Sequence, residues 1–495
     1  MKINSNYDVI IAGSGMGGMS AAAMLANDGY KVLILEAAHV PGGCSSSFYR
    51  KGYWFESGAT TLIGFDRHQP LRKLESVTGI DIPRIELQPS MQVHMSGDTL
   101  TRFKDPAKWI SEAERFFGNG PAQQSFWDLA LKISDVVWQA SEKNSFFPPQ
   151  SLKDWLKLPL NNDMAHVWVL PYALRSVEDV MNSHGLNSPE FRRFVDEQLM
   201  ITAQSTAEDT PFLFGAPALT YTNYSNYYVP GGLINMVERI ADFVKQKGGA
   251  LHTREPVEKI MREDGAYKVF TPKGVYTAPV AVSNLPVWNM EDITSAEMKE
   301  YFRKESEKFS EAWGAFTLGL VTNDTYPDEL PLHHQLHLPE GELIPYTGSN
   351  SVFVSMSHAD DDTRSKNGNR VLNVSCHTET DSWFSMNGSY EKRKKEVESR
   401  IIEHLKKTLP GFGKAEIINV FSGTPVTWQN WVYRKKGRVG GIPQSMARSL
   451  LDWTPASPPF RGLYLCGDTV FPGQGIPGVT LSGINVYYRV RENHK

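Results

Sequence analysis

Asp8-Val9-Ile10-Ile11-Ala12-Gly13-Ser14-Gly15-Met16-Gly17-Gly18 couples a short apolar run to a G-x-G-x-x-G pattern at Gly13, Gly15 and Gly18. The run is β-branched and apolar, which predicts a buried strand. An Ala- and Met-rich segment from Met16 to about Asp28 predicts a helix ended by Gly29. Lys31-Val32-Leu33-Ile34-Leu35 then predicts a second strand, with Glu36 and Ala37 at its end. Gly13 permits a tight turn, Gly15 lets backbone approach a pyrophosphate, and Gly18 lets the helix pack close to the strand. The free N–H groups and positive end of the helix, at Ser14, Met16 and Gly17, face the phosphates. Glu36 follows Gly13 at the distance where an acid accepts the hydroxyls of an adenosine ribose. An acid there favours an unphosphorylated ribose. Strand, glycine turn, helix, second strand and acid together predict a dinucleotide site, where a lone glycine triplet would be weak.

Val40-Pro41-Gly42-Gly43 brings a second glycine pair just after the acid, and Cys44-Ser45-Ser46-Ser47-Phe48 continues it with small residues. The whole stretch Tyr7 to Phe65 resembles the FAD-binding start of the flavin amine oxidase superfamily. Its nearer likeness is to the branch of phytoene desaturases, carotenoid isomerases and retinol saturases. The resemblance implies FAD rather than NAD as cofactor. It also implies a second cofactor-lining segment at Phe55-Glu56-Ser57-Gly58-Ala59-Thr60. Many superfamily members have a basic residue where this chain has Cys44, and the departure fits the isomerase-like branch. Cys44 reads more readily as a small residue packed near the cofactor than as a reactive thiol.

The other end of the chain looks like the closing flavin motif of the same family. Leu463-Tyr464-Leu465-Cys466-Gly467-Asp468 reads as a buried strand with an acid at its carboxyl end, where ligands of such sheets sit. Phe471-Pro472-Gly473-Gln474-Gly475-Ile476-Pro477-Gly478-Val479 then opens a helix, and Pro477 suits its first turn. N–H groups there can face the electron-rich edge of a flavin. The resemblance assigns Asp468 to the ribityl or pyrophosphate part of FAD. Gly478, Ser482 and Gly483 recur at helical spacing and let that helix lie close to the cofactor or the sheet.

Between these ends, Tyr228-Val229-Pro230-Gly231-Gly232 precedes a helical pattern from Leu233 to Lys247. An extended stretch follows in which Val257 resembles the family's adenine-contacting valine. Lys268-Val269-Phe270 and Val275-Tyr276 predict a hairpin, and Val280 to Pro286 a return to the first sheet. Thr424-Pro425-Val426-Thr427-Trp428, with Gly437, Gly440 and Gly441, resembles a family segment that returns near the flavin. The fold class expected is α/β: a discontinuous Rossmann-like FAD-binding domain with an interleaved α+β substrate domain. The FAD domain takes 1–65, 228–287 and 456–495, and the substrate domain 66–227 and 288–455. No second G-x-G-x-x-G follows a strand, so a separate NAD(P)H domain is not expected.

Composition narrows the function classes. The 495 residues are 41% hydrophobic and 21% charged, which excludes a disordered or fibrous chain. A net charge of -4 gives no basic surface for nucleic acid. Three cysteines, Cys44, Cys376 and Cys466, neither build a disulfide scaffold nor show metal spacing. His333-His334-Gln335-Leu336-His337 reads as a loop after Pro331, with no acid or cysteine at ligand spacing, so no metal is expected. The run Glu391 to Glu396 mixes both charges and reads as a solvated face. No apolar stretch reaches the roughly 18 residues that span a bilayer. The expected location is cytoplasmic. Phe146-Phe147-Pro148-Pro149 with Trp155-Leu156 is a candidate apolar mouth for peripheral contact with a membrane.

The expected activity is that of an FAD-dependent oxidoreductase acting on a hydrophobic isoprenoid polyene, as a carotenoid desaturase or a carotenoid cis–trans isomerase. In desaturation, hydride passes from an allylic carbon to flavin N5. The alternatives are a retinol-saturase-like reductase, a flavin amine oxidase, and a non-catalytic prenyl-binding protein of the same fold. No Ser-His-Asp, metal or paired-carboxylate signature names a catalytic residue, and nothing identifies the electron donor or acceptor. The surplus of aromatics, 11% of the chain, is largest from Phe116 to Trp168 and at Tyr221, Tyr224, Tyr227 and Tyr228. These residues either line a channel or pack the core.

Overall fold

The computed structural model describes residues 3–4, 7–309, 312–385 and 388–494. Its first layer is a five-stranded, wholly parallel sheet. Along the sheet the strands run Ala250–His252, Val32–Leu35, Val9–Ala12, Val280–Ser283 and Leu463–Leu465. The middle strands are buried at every position. Their apolar character on both faces is what a parallel sheet covered on both sides requires. In chain order the arrangement is 3-2-1-4-5, and the strand order reverses between Val9–Ala12 and Val280–Ser283. A doubly wound sheet binds its ligand beyond the strand ends at that switch point.

The glycine-loop helix, Met16–Asn27, is buried from Met16 to Ala26. A helix apolar all round must be covered on several sides. Here it lies against Ile234–Gln246 and Gly475–Asn493 as well as the sheet. Small residues permit the contact with the last helix. A Cβ on Gly483 would stand 2.1 Å from the Gly17 carbonyl oxygen. Gly483 therefore serves a helix–helix approach beside the glycine loop. A smaller sheet, Ile3–Asn4, Gly274–Ala278, Ala266–Thr271 and Lys259–Glu263, contains the expected hairpin.

The second large layer is a seven-stranded sheet. Its order is Ile417–Gly423, Gly314–Asn323, Asn369–Thr378, Ser351–Met356, His333–His337, Met91–Met95 and Asp98–Arg102. One face packs on the helix Tyr390–Thr408: Phe316, Leu318, Val352, Val354 and Val374 meet Val397, Ile401 and Leu405. The opposite face, reached by the alternate residues Ala315, Thr317, Phe353, Ser375 and His377, looks into a cavity. All strands of the parallel sheet lie within 1–65, 228–287 and 456–495, and all seven of this one within 66–227 and 288–455.

His333–His337 corrects the expected loop. It is a central strand buried at all five positions, paired with Ser351–Met356 on one side and Met91–Met95 on the other. Its ladder satisfies the backbone, while polar side chains hid the strand from a search for apolar alternation. Burial pushes the imidazoles of His333, His334 and His337 down to about 3. They are neutral, and His334 Nδ1 meets His94 Nε2 at 3.1 Å.

The aromatics from Phe116 to Trp168 divide: Phe126, Trp127 and Phe146 are buried, Trp138 lines a cavity, and Trp155 and Trp168 are exposed. Trp109, Phe126, Trp127, Phe191, Phe194 and Phe212 are fully buried on the helices beside the second sheet. Trp109, Trp127 and Phe194 surround Arg102, whose guanidinium lies 4.1 Å from the Trp109 ring and donates to Gln198 Oε1 and the Leu219 carbonyl.

Candidate active site

The turn after Val9–Ala12 is held tightly. Gly13 has φ +91°, a left-handed backbone that a side chain would strain, and its N–H donates to the Leu35 carbonyl at 2.8 Å. A Cβ on Gly18 would meet the Gly13 oxygen at 2.4 Å. Ser14 donates through N and Oγ to Glu36 Oε2, at 2.8 and 2.5 Å, and Ala38 N donates to Oε1 at 2.8 Å. A carboxylate offers about four acceptor positions, so Glu36 keeps capacity for a ligand hydroxyl. No side chain caps the helix at Gly15. The Gly18 N–H is taken by Asn284 Oδ1 at 3.0 Å, which brings the end of Val280–Ser283 against the loop.

The second glycine pair docks on the first. Gly42 N donates to the Ser14 carbonyl at 3.1 Å, and Gly15 and Gly42 form a parallel bridge. The Cys44 carbonyl accepts from Ala59 N at 2.9 Å, which brings the segment Ser57–Thr60 alongside. Burial pushes the Cys44 thiol up, so it is a protonated, packed side chain and not a ready nucleophile. From the closing segment, Gly467 N donates to Ser482 Oγ at 2.9 Å. The helix Gly475–Asn493 also begins without a side-chain cap, and Gln474 Nε2 is buried with no partner.

Nearly all the residues singled out in the sequence line one cavity of about 1100 Å³: Gly13, Gly15, Met16 and Gly17; Glu36 and Ala37; Gly42, Gly43, Cys44, Ser45 and Thr60; Val257; Gly467 and Asp468; Gly475, Ile476, Pro477 and Val479. Ser14 and Gly18 stand behind its wall, Ser14 orienting Glu36 and Gly18 closing the helix on the turn. Two uncapped helix starts, the unpartnered Gln474 amide and the spare acceptor on Glu36 suit a diphosphate, a ribose and a polar ring edge. The residues present therefore fit FAD.

Several residues that line the cavity carry no sequence signal. Arg434 lines the cavity and pairs with Asp468, Nη2 to Oδ2, at 2.8 Å. The same guanidinium acts on the Cys44 thiol, pulling it down against burial. A cation thus stands beside Cys44 although the basic residue expected after the glycine pair is absent. Asn284 and Glu197 also line the cavity.

Other candidates are placed elsewhere. Glu56 turns away from the cavity and pairs with Arg364 at 3.1 Å, both buried, while Ser47 Oγ donates to it at 2.6 Å. Of the tyrosines, Tyr221 lines the cavity. Tyr224 bonds Ser134 and Asp135, Tyr227 packs edge-on to Phe65, and Tyr228 donates to Asp361. Phe146, Pro148 and Pro149 are buried and Phe147 packs on Phe471, whereas Trp155 and Leu156 are exposed. Among the described residues, no three His, Cys, Asp or Glu side chains are grouped to hold a metal, and no helix is long and apolar enough to cross a membrane.

Comparison with known proteins agrees with this geometry. The family described as flavin containing amine oxidoreductase matches residues 16–490. Prolycopene isomerase of Daucus carota is 26% identical, over 98% of this chain and 80% of that protein. All-trans-retinol 13,14-reductase of Danio rerio is 22% identical, over 94% and 83%. Among solved structures, a putrescine oxidase bound to putrescine superposes with a TM-score of 0.65, at 15% identity, over 99% of this chain and 100% of that one. The chain belongs to the flavin-containing amine oxidoreductase family and is an FAD-dependent oxidoreductase.

Proposed function

We propose that the protein uses FAD to act on a long isoprenoid polyene, by cis–trans isomerisation or desaturation of a carotenoid-type chain. The observation that carries this reading is that one continuous cavity joins the cofactor residues to the second sheet. It runs from the FAD cradle to the face of the second sheet, and its walls include Phe214, Phe353, Phe421, Trp428 and Trp431. The cavity of about 1100 Å³ includes the FAD cradle as well as the space against the second sheet, so cofactor and substrate share one enclosure. The names of the relatives support the substrate class: 4,4'-diapolycopene oxygenase of Methylomonas is 23% identical over 98% of both chains.

FAD, when bound, would supply the redox chemistry, either for desaturation, in which a hydride leaves an allylic carbon for the flavin and a proton leaves the neighbouring carbon, or in its reduced form for an isomerisation without net oxidation. The chain's residues hold and shield it. We assign Glu36 to the adenosine ribose, Val257 to the adenine, the uncapped starts of Met16–Asn27 and Gly475–Asn493 to the diphosphate and the flavin edge, and Asp468 with Arg434 to the segment between. The aromatic walls exclude water and align an extended chain. In this reading 1–65, 228–287 and 456–495 form the FAD domain and the remainder holds substrate.

We also assign peripheral membrane contact to residues 152–174. Leu152, Trp155, Leu156, Leu160, Met164 and Leu174 are among their exposed apolar side chains. Exposed apolar side chains gathered on one short segment suit contact with a lipid surface. The test of the activity is expression in a host that accumulates phytoene and cis-carotenoid intermediates, followed by chromatography of the pigments. New double bonds or shifted cis/trans ratios are expected. An unchanged pigment profile with a folded, FAD-loaded protein contradicts the substrate assignment.

A further inference from the structure

A cavity for a pure hydrocarbon needs no polar wall, yet one wall of this cavity is polar. The strand register sets Gln335, Phe353, Ser375 and Thr317 side by side across four strands. All four line the cavity. Two residues along, on the same face, lie Ser351 and His377. The helix Pro189–Thr202 crosses this face. It turns Phe191, Phe194, Val195 and Leu199 into the aromatic core and leaves Glu197 to the cavity.

Glu197 is the centre of the cluster. Ser351 Oγ donates to its Oε2, and its backbone carbonyl accepts from Gln335 Nε2 at 3.1 Å. Gln335 Oε1 in turn accepts from Gln198 Nε2 at 2.5 Å. This mesh fixes Glu197 in place, with its half-buried carboxyl group at the cavity wall. Burial pushes the Glu197 carboxyl up to about 7, with Ser351 opposing. Near neutral pH it therefore both accepts and donates hydrogen bonds, and it lacks the settled negative charge that would hold an ammonium group. Burial also keeps the nearby His377 neutral, pushing it down to about 4.

We infer that Glu197, with Ser351 and Gln335 behind it, receives a terminal hydroxyl of the substrate, so that the cavity takes an oxygen-bearing isoprenoid in one orientation. A hydroxyl offers one donor and two acceptor positions, which matches a carboxyl group able to play either part. The inference rests on the isoprenoid reading and adds a polar end to it.

The test uses the FAD-loaded full chain and two probes presented in the same detergent: geranylgeraniol and the hydrocarbon of identical skeleton without the hydroxyl. Binding is followed by quenching of tryptophan fluorescence, since Trp138, Trp428 and Trp431 line the cavity. The wild type is expected to bind the alcohol at least about tenfold more tightly, because a site built around a hydroxyl rejects the analogue that lacks it. In Glu197→Leu the preference is expected to fall within about threefold, with hydrocarbon affinity kept. Ser351→Ala and Glu197→Gln, gentler changes, should each reduce it and serve if the leucine variant does not fold. Equal affinities in the wild type, or a preference that survives all three variants, overturns the inference and leaves the isoprenoid reading intact. Failure of both probes to bind the wild type overturns that reading and the inference together.

Discussion

Glu36→Ala separates a residue that grips the cofactor from one that merely props a loop. The side chain is 8% exposed and accepts three hydrogen bonds, from Ser14 N, Ser14 Oγ and Ala38 N. Removing it leaves two backbone N–H groups without their acceptor. Each unsatisfied donor costs about 1–3 kcal/mol, moderated where water enters the cavity. The FAD-free protein should therefore lose about 2–4 kcal/mol of stability. The cofactor loses the acceptor for its ribose, a charged-group hydrogen bond of about 1.5–3 kcal/mol. At 1.4 kcal/mol per factor of ten, the FAD dissociation constant should rise about 10- to 150-fold. Titrating FAD-free protein with FAD and following flavin fluorescence measures the second effect, and thermal unfolding without FAD the first. Glu36→Gln, which keeps one acceptor oxygen, should fall between wild type and alanine in both. Unchanged FAD affinity together with lowered stability would refute the ribose assignment, since Glu36 would then only brace Ser14.

Gly483→Ala puts a Cβ 2.1 Å from the Gly17 carbonyl oxygen; overpacking of this kind should cost about 1–3 kcal/mol in thermal unfolding and lower the FAD content of the purified protein. An unaltered melt would show that the two helices separate freely. Asp468→Ala leaves the Arg434 guanidinium largely buried without its partner, which should cost about 3–5 kcal/mol of stability and weaken FAD binding as well; loss of neither removes the acid from the site. Stability should fall as pH drops from about 6.5 to 4. His94, His333, His334, His337 and His377 are held by burial at about 3 to 4 in the fold. The unfolded chain, with ordinary histidines, therefore takes up more protons across that window. Urea midpoints that are equal at pH 7 and pH 5 would contradict this.

The parts of the site that could be read in the sequence are those that act through neighbours in the chain. The glycine turn, the uncapped helix and Glu36 fall within 24 residues, and each has a local reason for its residue type. The closing motif around Gly467 and Asp468 is also local. Its union with the first motif rests on parallel pairing of both Val9–Ala12 and Leu463–Leu465 with Val280–Ser283. Arg434, Asn284 and Glu197 could not be found that way. Each reaches the cavity only because a strand, turn or helix from a distant segment is folded against it. Glu197 in particular sits on an amphipathic helix, where a charged residue ordinarily marks the solvent side. The His333–His337 strand is illegible for the opposite reason: it is central and buried, but its polar side chains break the apolar pattern by which strands are recognised. The aromatic surplus divides between both readings. Trp109, Trp127 and Phe194 build a core around Arg102, while Trp138, Tyr221 and Phe353 line the cavity.

The most direct test is the visible absorption spectrum of the purified full chain, with the released cofactor identified by chromatography. A yellow protein with flavin bands is expected, whose extracted cofactor is FAD, lost in large part from Glu36→Ala. A colourless, folded protein that takes up no FAD on titration would contradict the assignment of this cavity to FAD.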